Sequence, residues 1–141
     1  MENKCMALAK ELLAQKAERT CVVVWLKETG KEPFISEAKG IRPLMEILES
    51  GENVLSDASI ADKVIGKAAA FLAVYGGAKD VYAKVISQAA YQVFTDAGLP
   101  CEYEKEVPYI INRAGTGRCP MESAVWDIKD AKEAYEILKE K

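Results

Sequence analysis

The sequence predicts an α/β sandwich, a mixed sheet of about four to five strands covered by helices. Three stretches carry that expectation. Thr20 to Lys27, TCVVVWLK, is a continuous apolar run of the kind buried on both faces of a sheet. Ser59 to Tyr75 reads as a helix that is apolar on nearly every side, with Lys67 the only charge from Val64 onward, which marks it as buried. Val81 to Ile86 then reads as a strand rich in β-branched and aromatic residues, and a new helical pattern follows at once.

In chain order, Met6, Leu8, Ala9, Leu12, Leu13 and Ala17 recur at helical spacing and predict a first helix of about four turns. After the Thr20 strand, Glu28 to Lys31 reads as a turn and Glu32 to Ala38 as a second strand, a hairpin partner that Pro33 confines to a sheet edge. Ile41 to Leu48 forms a short helix, with Pro43 in its first turn and Gly51 as its stop. Glu52 to Ala58 is a connector, with Val54-Leu55 a candidate short strand. In the buried helix Ser59 reads as the N-cap and Asp62 as its capping-box partner, while Gly76-Gly77 ends the element.

Ser87 stands where it can cap the next helix, Gln88 to Ala97, which Gly98 and Pro100 terminate. Cys101 to Asn112 is strand-like, with Pro108 marking a bulge or an edge. Arg113 to Arg118, RAGTGR, is a glycine-bearing loop. A short helix from Cys119 to Asp127 and a last one to Lys141 follow, with Asp127 and Asp130 as its capping pair. No repeat, low-complexity tract or linker interrupts the pattern, so residues 1–141 read as one domain.

Composition narrows the chemistry. A net charge of −3 argues against a general nucleic-acid binder, and no apolar run is long enough to span a bilayer. The charged N-terminal helix is unlike a signal peptide, so a cytoplasmic location and four reduced thiols are expected. Cys5, Cys21, Cys101 and Cys119 contain no Cys-x-x-Cys pair. The chain has no histidine, which removes Ser-His-Asp and Cys-His catalysis and His-ligated zinc or iron. No cofactor or metal is implied.

The loop Arg113-Ala-Gly-Thr-Gly-Arg-Cys-Pro-Met-Glu122 holds the strongest local chemistry. Pro120 suits the first helical position, which makes Cys119 the N-cap and Glu122 the third residue of the helix. A helix start and Arg113 and Arg118 all favour a Cys119 thiolate, with Glu122 as a proton acceptor. Gly115 and Gly117 let backbone N–H groups approach an anion that the arginines neutralise. A well-capped helix start under a solvated basic loop accounts for the same residues. Lys67 is the second candidate, as a base or amine or as a ligand contact. In a buried helix it must pair with an acid such as Glu122 or Asp62, face a wet cavity, or reach solvent. Ser87, at a strand end, and Asn112 complete the ligand-binding set, although a simple N-cap also explains Ser87.

The segments GKAAAFLAV, VYAKVISQAA and INRAGTGRCPMESAV, in this element order, resemble a small prokaryotic family known only as a domain of unknown function, itself similar in fold to cytidine deaminases. The resemblance implies a three-layer α/β/α sandwich. Zinc deaminases take their ligands from two helix starts, which correspond here to Ile65-Gly66-Lys67 and Ser87-Gln88-Ala89-Ala90. None of these residues is a zinc ligand, so zinc-dependent deamination does not carry over. What the resemblance implies is a pocket between the two helix starts, lined by Lys67 and Ser87 and approached by Asn112, Arg113 and Cys119. The leading expectation is a domain binding a small anionic molecule, of which a nucleotide is one example. A metal-free enzyme using Cys119 or Lys67 and a protein–protein interaction module are the alternatives, and a homodimer is compatible with the helix faces.

Overall fold

Val22, Val23 and Val24 have no exposed face, and that is possible only for a strand with neighbours on both sides and helices above and below. In the computed structural model, which describes residues 4–26, 30–51, 54–111, 117 and 119–140, these residues belong to β1, Cys21–Val24. It pairs antiparallel with β2, Phe34–Ser36, on one side and with β3, Ser59–Ile65, on the other. β3 pairs parallel with β4, Asp80–Ser87, and β4 parallel with β5, Cys101–Val107. Among the described residues the sheet order is β2-β1-β3-β4-β5, a mixed sheet of five strands.

The pleat sorts side chains to two faces. Val22, Val24, Ala61 and Tyr82 meet Met6, Ala9 and Leu13 of α1, Lys4–Ala14. Val23, Ile60, Val81 and Ala83 face the larger core on the other side. That side is covered by α3, Lys67–Gly76, and α4, Gln88–Ala97. Three further helices pack on α3: α2, Arg42–Glu49, α5, Pro120–Ala124, and α6, Ala131–Leu138. No helix among the described residues is long and apolar enough to cross a membrane.

Several boundaries follow the sequence. Ser87 Oγ accepts the Ala90 N–H at 3.1 Å and caps α4, and Asp130 accepts the Glu133 N–H at 2.9 Å and caps α6. Gly77 and Gly98 close α3 and α4 in the left-handed region, with φ of 80° and 69°. β5 is an edge strand, and its exposed Glu102, Glu104, Lys105 and Glu106 discourage further pairing.

The stretch expected as one helix divides. Ser59–Ile65 is β3, Gly66 is extended, and the helix begins at Lys67. Ser59 and Asp62 are therefore not a capping box, and Lys67 is the first residue of a helix, not its middle. A short apolar run fits a buried strand and a buried helix equally, and ladders to β1 and β4 decide between them. Val54-Leu55 lies in a turn instead of a strand, and its fully buried Leu55 packs on Gly76.

A Cβ on Gly76 would lie 2.6 Å from Leu55 Cδ1 and 2.7 Å from Leu55 Cβ. Gly76→Ala is therefore expected to destabilise the protein by about 1–3 kcal/mol through overpacking, despite alanine's better helix propensity. A denaturant melt showing a neutral or more stable variant would refute that close approach.

Candidate functional site

Pro120 starts α5 and Cys119 is its N-cap, which aims Glu122 inward. The Glu122 side chain is 1% exposed. Its Oε2 accepts the Lys67 N–H at 2.7 Å and the Ser87 hydroxyl at 2.5 Å, and Oε1 accepts the Ile110 N–H at 2.7 Å. Lys67 opens α3 and Ser87 caps α4, so the carboxylate sits where two helix starts converge. Their unpaired N–H groups and dipoles favour an anion at that point. The anion is the chain's own. Glu122 thus stands between the two helix starts where a pocket lined by Lys67 and Ser87 is expected.

Lys67 meets Glu122 through its backbone N–H, not through its amine. The Lys67 ammonium donates to the Trp126 carbonyl and lies 5.7 Å and 5.9 Å from the Phe71 and Trp126 ring centroids. Burial lowers the pKa of this amine from the usual lysine value, an effect opposed by Asp127 and Glu122. Ser87 is fully buried. Neither Lys67 nor Ser87 is among the described residues that line the cavity beside Glu122.

A cavity of about 740 Å³ does open on the other side of Glu122. Its walls come from α2 and its approach (Lys39, Ile41, Arg42, Met45), from β3 (Asp62, Val64), and from Ile110 and Cys119. Cys119 is half-buried there, and its N–H donates to the Ile110 carbonyl at 2.8 Å, closing the base of the loop between β5 and α5. Gly117 is half-buried beside it in sequence, and Asn112, Arg113, Gly115 and Arg118 lie outside the described residues.

Asp62 is the residue that sequence reasoning missed. It stands in register with Cys21 across the β1–β3 ladder, 5% exposed, on the cavity wall. Burial raises its carboxyl from 3.8 to about 7, against the lowering effects of the Val64 N–H and the Cys21 thiol, and burial together with Asp62 pushes the Cys21 thiol upward. The available signal was an acid in the middle of the apolar run Ser59-Ile-Ala-Asp-Lys-Val-Ile65, where strands are depleted in aspartate. Among the described residues, no group of three or more Cys, Asp or Glu side chains is arranged to hold a metal ion.

A family profile described as TM1506, domain of unknown function (DUF1893), matches residues 8–141. The chain belongs to the DUF1893 family. The crystal structure of a DUF1893 family protein from Thermotoga maritima is 24% identical, covers 99% of this chain and 92% of that one, and superposes with a TM-score of 0.85. At that identity the likeness establishes a common fold. No curated protein matches this DUF1893 chain.

Two outcomes test the site. Glu122→Gln replaces one acceptor oxygen with a donor and leaves at least one buried partner unmatched, so a loss of about 2–3 kcal/mol is expected, with a larger loss for Glu122→Ala. A Glu122→Ala protein as stable as the wild type would show that the three bonds do not hold the helix starts. For Asp62, the folded value lies above the unfolded one, so the native state binds its proton more tightly. Its stabilising contribution is complete below 3.8 and is lost as pH rises to about 7. Asp62→Asn keeps an acceptor for the Val64 N–H and is expected to flatten the decline in Tm across that range. An unchanged slope would contradict the raised carboxyl.

Proposed function

We propose that this DUF1893 chain binds a small anionic molecule, such as a nucleotide, in the cavity between α2, β3, α3 and α5. The observation that carries the reading is the mixed lining: Lys39 and Arg42 stand at the cavity beside apolar Ile41, Met45 and Met121, with the carboxylates Glu46 and Glu49 on the same wall. Ligand sites of this size combine apolar walls with a few placed polar groups. The start of α2 adds the positive end of a helix dipole beside Arg42. Ile111 and Cys119, both on the wall, flank the Arg113–Arg118 loop in sequence, which supports keeping Asn112, Arg113, Gly115, Gly117 and Arg118 as ligand contacts. One helix against one face of the sheet and the others against the opposite face support a reading of the fold as a zinc-free relative of cytidine deaminases.

A second reading, a metal-free enzyme, is favoured by the place of Cys119, a thiol on the cavity wall at a helix start. In that reading Cys119 is the nucleophile, while Glu122 and Lys67 hold structure through their protein partners.

The test is a thermal-shift screen with nucleotides, sugar phosphates and small organic acids. A ligand at a hundred times its Kd adds about 2.7 kcal/mol, readily seen as a higher Tm. The shift is expected in the wild type and in Lys67→Ala, which lies off the cavity, and is expected to vanish in Arg42→Ala. If no anion stabilises the wild type, or if Arg42→Ala responds as strongly, the reading fails.

A further inference from the structure

Anion binding does not account for Asp62. Its carboxyl is 5% exposed on the cavity wall, and its partners are uncharged: the Val64 N–H on Oδ1 at 3.2 Å, the Lys63 backbone N–H and the weak thiol donor of Cys21. Among the described residues no lysine or arginine forms an ion pair with it. Lys63, the next residue, instead places its ammonium on the Ala17 carbonyl. A carboxyl buried without a cation is costly in its ionised form, which is the cause of its raised proton affinity. Lys39 and Arg42 line the same cavity, as do Glu46 and Glu49, so the wall presents both signs of charge. An anion alone would gain from one side and be opposed by the other.

We infer that Asp62 is the seat for a cationic nitrogen, an ammonium or amidinium carried by the same ligand whose anionic group meets Lys39 and Arg42. The inference rests on the cavity being the ligand site, and it narrows the ligand class to zwitterions or amine-bearing anions. A cation there forms charge-assisted bonds with Asp62, about twice as strong as those of a neutral donor, and removes the cost of burying the charge. Ala68 and Ala69 at the start of α3 contribute small side chains to the same wall.

Benzamidine and benzamide, nearly identical in shape and different in charge, make the deciding probes, with inorganic phosphate as the anion control. Titrated calorimetrically at about pH 8, where Asp62 is mostly ionised, benzamidine is expected to bind wild type roughly tenfold more tightly than benzamide. Asp62→Asn should abolish that preference and leave phosphate binding, and its dependence on Arg42, unchanged. On the wild type alone, the Val64 amide resonance should move with benzamidine and not with benzamide. Equal affinities, binding of neither probe, a preference that survives Asp62→Asn, or resonance shifts that bypass Val64 would each overturn the cation seat. Failure of phosphate with the benzamidine preference intact would overturn the zwitterion and the anion reading together, and would show that the cavity takes a plain cation.

Discussion

The carboxylate of Glu122 joins segments that are far apart in sequence and would otherwise leave backbone donors unmatched. It holds the first N–H of α3, the hydroxyl that caps α4, and the Ile110 N–H in the segment after β5. Each is a hydrogen bond to a charged acceptor, worth about 1.5–3 kcal/mol in a site closed to water. Gly66 is part of the same device: a Cβ there would lie 3.1 Å from Glu122 Oε2 and 3.0 Å from Ile110 Cγ1. Glycine allows the strand end of β3 to turn into α3 directly against the carboxylate. The Cys119–Ile110 backbone bond then ties the return of the chain to the same point.

This arrangement decides where open space lies beside the helix starts. In parallel α/β sheets the crevice beyond the strand ends, beside helix N-termini, is the usual place for an anion. Here an internal carboxylate occupies it and the accessible space is displaced to the neighbouring side, between α2 and β3. The displaced cavity brings together groups from both halves of the chain: Lys39 and Arg42 from the first, Cys119 and Glu122 from the second, and Asp62 from the strand between them. The site is therefore a product of packing, since no single motif spans it.

Some of the molecule was legible in residue order. The valine run of β1, the hairpin with β2, the Ser87 cap, the left-handed Gly77 and Gly98, and the start of α5 at Pro120 all rest on local rules, and each is present. The main failure has a physical cause. Ser59–Ile65 lies next to an alanine-rich helix, and its apolar pattern suits either state until the partners on both sides are known. Reading it as helix turned Asp62 into a capping residue and Lys67 into a mid-helix charge, whereas the resemblance to the family set Lys67 at a helix start, where it stands.

What the sequence alone determined was the α/β class, the caps and breaks of most elements, the place of Glu122 in the first turn of α5, and the absence of histidine, because these depend on residue type and near-neighbour spacing. Tertiary structure decided the central strand, the partners of Glu122, the shift of the cavity away from Lys67 and Ser87, and the exposure of Asp62 to it. The β1–β3 ladder and the Glu122 bonds to the two helix starts join residues 35 to 55 positions apart, and local periodicity carries no record of them.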